Sequence, residues 1–245
     1  MVDFRKQLYQ KYSFQFHDAK RQADERYFKS YFHWLDYKVA PFLSNLSPDA
    51  QILELGCGQG HFLAYLRYKG FKDIQGVDVS EELTAIAKSA SLDVQLADVF
   101  EYLEVLNKTF DAVIAIDFLE HFSREELLKL IPMIRKALKP GGIVLFQTPN
   151  GEGLFPRHVM YGELTHMTFL SPRSIKQLLT VADFCNIRFS ECGPAPKNIQ
   201  GAIRLFLWKI IRGIANVVRL IEIGVTQEIW TENMICAAEN PAEAS

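Results

Sequence analysis

The chain has 245 residues, 49% apolar and 12% aromatic, with a formal net charge of −2; this suits one large domain with a well-filled core and supplies no basic face for nucleic acid. Cys57, Cys185, Cys192 and Cys236 form no C-x-x-C pair and no apolar signal core opens the chain, so reduced thiols and a cytoplasmic protein are expected. No apolar run is long enough to span a bilayer, since Arg204, Lys209, Arg212 and Arg219 interrupt residues 201–225.

Residues 1–45 place Phe28, Phe32, Leu35 and Val39 at helical spacing before Pro41 and are read as a helical cap. The aromatics from Tyr9 to Trp34 are taken chiefly as packing, with closure over a ligand as a second use. "QILELGC" is a buried strand stopped by glycine, residues 61–70 a helix, "DIQGVDVS" a strand, 81–90 a helix and "DVQLAD" a strand. "FDAVIAID" follows as a fourth strand. "SREELLKLIPMIRKALKPGG" is a helix with Ser123 as N-cap and Glu126 three residues on, and "IVLFQTPN" a fifth strand.

After Asn150 the rhythm breaks, and the connection over 151–172 is expected to meet substrate. "SPRSIKQLLTVADF" returns to helix, "NIRFSECG" to strand, and "WTENMICAAEN" supplies the last strand. Between these strands, residues 199–222 carry an apolar stripe (Ile203, Leu207, Ile210, Ile214, Val217, Ile221) with Arg204, Arg212 and Arg219 opposite. Packing of the stripe on the core is the simplest account; a lid, a dimer surface or a shallow peripheral membrane contact are the others. The expected fold is α/β, a three-layer, doubly wound, mostly parallel seven-stranded sheet. It forms a single domain over 1–245, with N-terminal helices, a ligand-binding core over 50–150 and insertions at 151–172 and 198–224.

Gly56, Gly58 and Gly60 follow the first strand with G-x-G-x-G spacing, at the sheet edge where open parallel sheets bind ligands. The dinucleotide fingerprint places its third glycine one residue later. Glu54, two residues before the first glycine, would welcome a cation and repel a pyrophosphate. The ligand should therefore be less anionic than a nicotinamide dinucleotide. Asp78 ends the second strand, where doubly wound folds put an acid on ribose hydroxyls. Asp98 ends the third, suited to an exocyclic amine of adenine, with Val99 and Phe100 able to flank the ring.

"ILELGCGQG", "GVDVS", "LADVF", "FDAVIAIDFLEH" and "LKPGGIVLFQTPN" resemble, in order, the five motifs of the class I S-adenosylmethionine-dependent methyltransferases. The resemblance covers about residues 50–150. It implies a Rossmann-like fold with S-adenosylmethionine as cofactor. Glu54, Gly56, Cys57, Gly58 and Gly60 would lie near the methionine part, Asp78 and Val79 at the ribose, Asp98 and Val99 at adenine, and Asp117 beside the cofactor. A sulfonium cation agrees with an acid-rich pocket lacking phosphate contacts.

Asp117, Glu120 and His121 gather after the fourth strand, where the methyl group should point. Methylation of a hydroxyl releases a proton, which an imidazole can take at neutral pH, so His121 is a candidate catalytic residue. His166, in "ELTHMTFLSP", should fold over the same edge and share that role. Asp117, Glu120, His121 and His166 are also similar to the metal-binding E-x-x-E-H plus later His of ubiquinone-pathway O-methyltransferases and small-RNA 2'-O-methyltransferases, with Asp117 the shorter acid at the first position. A divalent metal there would polarise a hydroxyl.

Beyond residue 150 the chain resembles methyltransferases of sugars or lipid-linked glycans, through "TPN", H-x-x-F-x-S/T-P and the late helix. The resemblance implies a small-molecule hydroxyl acceptor, a sugar or polysaccharide precursor first and a phenol or quinone precursor next. A non-catalytic cofactor-binding partner subunit and an NAD-dependent oxidoreductase are the alternatives.

Overall fold

A computed structural model describes Leu8 and residues 25–242. Of the helical cap expected over 1–45, residues 1–24 apart from Leu8, with Tyr9, Tyr12, Phe14 and Phe16, therefore lie outside the described residues. The helix expected through Phe32, Leu35 and Val39 is α1 (Glu25–Lys38), followed by α2 (Ala40–Leu43) with Pro41 in its first turn. Phe32, Leu35 and Val39 are all buried.

The sheet comprises β1 (Gln51–Leu55), β2 (Asp73–Asp78), β3 (Val94–Leu96), β4 (Phe110–Ile116), β5 (Leu138–Pro149), β6 (Cys185–Glu191) and β7 (Asn233–Glu239). Their spatial order is β3-β2-β1-β4-β5-β7-β6. Pairs among the first five are parallel, while β7 runs antiparallel to both β5 and β6. The strand order reverses between β1 and β4, which opens a crevice at their carboxyl ends.

Strand alternation divides the apolar residues between two faces. Leu53, Leu55, Val113, Ala115, Val144 and Phe146 join one core with the inner faces of α6 (Arg124–Lys136) and α8 (Pro172–Val181). Ile52, Ala112, Ile114 and Leu145 join another with α1 and α3 (His61–Tyr68). Because both faces are covered, the central strands read as nearly continuous apolar runs. A smaller cluster of Leu63, Ala87, Leu92 and Val94 lies beneath α4 (Glu81–Ser89). Ser123 and Glu126 form the expected capping box at the start of α6.

Several elements differ from the sequence reading. The stretch after Asp98 is helical, α5 (Val99–Glu104), because the Asp98 carboxylate accepts from Phe100 N and caps it. A short α7 (Arg157–Tyr161) lies in the 151–172 connection. β5 begins at Leu138 and passes through Pro140 and Gly141, with a register shift against β4 between Phe110 and Ala112.

The late helix α9 (Ile199–Ile223) buries none of its residues, so its apolar stripe does not pack on the core. Its polar stripe holds it to the body instead. Trp208 Nε1 and Arg212 donate to Glu191 Oε2 at 3.1 and 2.8 Å, and Gln227 N donates to Asn216 Oδ1 at 2.8 Å. The Arg219 guanidinium stands 6.0 Å from the centre of the Trp230 ring. No helix among the described residues is long and apolar enough to cross a membrane.

Candidate active site

The turn from β1 into α3 follows a path that side chains would obstruct. Gly56 has φ +68°, and a Cβ there would overlap the Phe118 ring; Gly60 has φ +83° and would overlap Leu92. The turn is tied to β2 through Asp78, whose carboxylate accepts from Gly58 N and Ser80 N, each at 2.8 Å. Burial raises the Asp78 pKa against the pull of these backbone donors. Val79, next along, is 45% exposed.

Glu54 lies beneath the turn at 3% exposure, and its Oε2 has no hydrogen-bond partner. Burial, and then the charge of Asp78, raise its pKa well above the usual carboxylate range. A buried acceptor beside a second acid is suited to a ligand that brings a cation and donor groups. The buried Cys57 is held as a neutral thiol, its pKa pushed up by burial and then by Glu54. Asp98 is exposed at the end of this edge, while Val99 turns its side chain into the core.

Phe118, packed on Gly56, links this turn to the segment after β4. Asp117 there takes φ +49°, a left-handed conformation that Asp tolerates better than most residues. Its N–H donates to Gln147 O at 2.9 Å, and its Oδ1 accepts from Gln147 Nε2 at 3.0 Å. Protein surrounds Asp117, yet its surface remains open to a cavity, and burial raises its pKa. Glu120 is 1% exposed; Oε2 accepts from Thr148 Oγ1 at 3.0 Å, whereas Oε1 has no partner. Its pKa is raised well above normal, first by burial and then by Asp117.

The same segment anchors the connection that carries His166. The Glu120 carbonyl accepts from Met167 N at 2.8 Å and Thr168 N at 3.1 Å, and Thr168 Oγ1 donates to Phe122 O at 2.6 Å. These bonds bring the His121 and His166 rings to 4.9 Å between centres, at 73°. One ligand atom from each of Glu120, His121 and His166 lies within 4.8 Å of the others, a spacing that fits a divalent cation. Asp117 is not a member of that group. The Nδ1 of His166, like Oε1 of Glu120, is buried without a partner, and a cation would engage both. Burial lowers the His121 pKa to about 4, against the opposing charge of Glu163, so its imidazole is neutral at neutral pH.

Asp117, Glu120, His121, His158, Glu163 and His166 all line a cavity of about 360 Å³. Glu163 and His158 were not singled out from the sequence. Glu163 stands three residues before His166, and its Oε2 lies 3.7 Å from His166 Nε2 while its Oε1 accepts from Thr165 Oγ1. That i, i+3 spacing was the available signal.

A family profile described as a methyltransferase domain matches residues 31–188. The chain belongs to that family. S-adenosylmethionine is the cofactor the resemblance implied, and the acidic acceptors around the glycine turn, Glu54 and Asp78, fit it. The chain is 30% identical over 139 residues to the tRNA U34 carboxymethyltransferase of Idiomarina loihiensis, covering 53% of this chain and 42% of that protein. It is 31% identical over 105 residues to the ubiquinone biosynthesis O-methyltransferase of Hydrogenovibrio crunogenus, covering 40% and 42%. It thus spans less than half the length of these curated relatives. Among solved structures, an S-adenosylmethionine-dependent methyltransferase from Archaeoglobus fulgidus shares the fold at a TM-score of 0.64 and 20% identity, over 86% of this chain and 94% of that one.

Proposed function

We propose that this methyltransferase transfers the S-adenosylmethionine methyl group to a hydroxyl oxygen of a small molecule bound in the cavity beside Glu120, His121 and His166. The observation that carries the reading is this buried acid and imidazole cluster lining a small cavity, one phenylalanine away from the glycine turn. At about 360 Å³ the cavity falls at the small end of the usual range for small-molecule sites. A sugar is the favoured acceptor and a phenol or quinone precursor the next. Four free cysteines agree with a cytoplasmic setting.

Glu54 and the turn from Gly56 through Cys57 and Gly58 to Gly60 are assigned to the methionine part of the cofactor. Asp78 and Val79 are assigned to the ribose, and Asp98 and Val99 to adenine. Asp117 faces the reacting side. The cofactor supplies a methyl on a sulfonium, and the protein must set the acceptor oxygen in line with it. Asp117 is exposed to the cavity beside the His121 and His166 imidazoles, where its carboxylate can hydrogen-bond the acceptor hydroxyl. His121, neutral at neutral pH because burial lowers its pKa to about 4, serves with His166 to accept the hydroxyl proton, to orient the oxygen or to ligate a metal. Glu120, His121 and His166 would hold that metal, which would supply Lewis-acid polarisation of the hydroxyl. The connection over 151–172 carries five of the cavity-lining residues, His158, Val159, Gly162, Glu163 and His166, and is assigned to acceptor binding.

Release of S-adenosylhomocysteine tests the reading, with sugar nucleotides, phenols and unmodified tRNA as acceptors and with and without a chelator. Turnover on a sugar or phenol, lost in Glu120→Gln, is expected. A chelator that lowers turnover would assign the cluster to metal, and one that leaves it unchanged would assign it to the hydroxyl itself. Turnover on tRNA alone would overturn the small-molecule reading in favour of an acceptor like that named for the Idiomarina loihiensis relative.

A further inference from the structure

Helix α9 is amphipathic in an inverted sense. Trp208, Arg212, Asn216 and Arg219 recur at three- and four-residue intervals along one side, and each contacts the body of the protein. The opposite side presents Ile203, Phe206, Ile210, Ile214, Val217 and Ile221, each between 45% and 81% exposed. From Ile203 to Ile221 this makes an apolar ridge about 27 Å long with no charged side chain along its crest. Monomeric soluble proteins seldom leave a continuous apolar surface of that extent to water.

The charges say what covers it. Within α9, Arg204, Lys209, Arg212 and Arg219 face one acid, Glu222, a net of +3 in a chain of net −2, which leaves −5 elsewhere. Arg212 is neutralised by Glu191 at 2.8 Å, whereas Arg204 and Lys209 are exposed beside the ridge. Aliphatic residues flanked by cations suit the boundary between acyl chains and anionic headgroups. A protein partner is poorly matched, because the crest lacks the Tyr, Trp and Arg anchors that dominate protein interfaces.

The segment after α9 is tied to the connection that lines the cavity. Gln227 Nε2 donates to Glu152 O at 2.7 Å, and Leu154 N donates to Trp230 O at 3.0 Å, tying the connection after β5 to the segment that follows α9. That connection bears Phe155, Tyr161 and Leu164, each more than two-thirds exposed, together with the cavity-lining His158, Glu163 and His166.

We propose that α9 is a monotopic docking element that lays its apolar ridge into an anionic lipid surface. The inference stands apart from the proposed acceptor, since lipid binding is read without turnover. The experiment is flotation of the full chain with vesicles of phosphatidylcholine mixed with phosphatidylglycerol, against phosphatidylcholine alone. Wild type should float with the mixed vesicles and less with the neutral ones. The pair Ile210→Glu and Ile214→Glu should lower flotation at least tenfold while the melting temperature and S-adenosylhomocysteine binding stay as in wild type, because both side chains lie on the exposed crest and neither belongs to a core cluster. The proposal is overturned if wild type does not float, if the doubly substituted protein floats equally, or if sedimentation shows a dimer that this pair dissociates while no vesicle binding is seen.

Discussion

The two halves of the crevice hold their acids in different ways. At the ends of β2 and β3, Asp78 and Asp98 are satisfied by backbone N–H groups, of Gly58 and Ser80 for the first and of Phe100 for the second. Beyond β4 and β5, Glu120 receives one hydrogen bond, from Thr148, and keeps Oε1 unpaired beside the unpaired Nδ1 of His166. The first half is pre-set by main-chain geometry at its strand ends, with Glu54 Oε2 left unpaired beneath the turn. The second stores unsatisfied polar groups, which cost free energy until a metal or an acceptor engages them. Binding is thus assigned to one half and chemistry to the other.

That division can be broken most readily at Asp78. In Asp78→Asn, whichever way the amide turns, its NH₂ meets one of the two backbone donors. Loss of a charged acceptor should weaken S-adenosylmethionine binding by about 1.5–3 kcal/mol, roughly 10- to 150-fold, by titration calorimetry. Turnover at saturating cofactor should change much less. An affinity equal to wild type would remove Asp78 from the cofactor half.

A smaller effect sharpens the comparison at Glu54. Because burial raises its folded pKa above the unfolded value, the folded state binds the proton more tightly, and stability is lost as pH rises through the window above about 4.5. Glu54→Gln carries no such proton and should flatten that loss, gaining on the order of 1 kcal/mol relative to wild type between about pH 5 and pH 8 in denaturant midpoints. Parallel pH profiles for the two proteins would show that Glu54 ionises freely in the folded state.

The same contrast explains what was legible in the sequence. The glycine turn, Asp78, Asp98 and the Ser123–Glu126 box work through neighbours near in sequence or through the strand-end rule of doubly wound sheets, and the strands announce themselves as short apolar runs (β1, β4, β5, β7) or as short mixed segments bounded by turn residues (β2, β3, β6). The partnership of Glu120 with Thr148, and of His121 with His166, depends on where the connection after β5 folds back, which no local period encodes. Helix α6 and helix α9 make the point again. Both show an apolar stripe, but α6 buries Leu127, Leu130, Ile131 and Ile134, whereas α9 buries none. Periodicity marks the stripe; Glu191, receiving Trp208 and Arg212, decides which side of α9 faces inward.

The central claim is that the His121 side of the crevice acts on the acceptor and leaves cofactor binding alone. The most direct measurement is a paired one on His121→Ala, cofactor affinity by calorimetry and turnover from S-adenosylhomocysteine release. The account predicts an affinity within about threefold of wild type, with turnover lowered about 10- to 100-fold, the range expected when a metal-orienting or substrate-orienting group is removed. Unchanged turnover, or a loss of cofactor affinity as large as the loss of turnover, would contradict it.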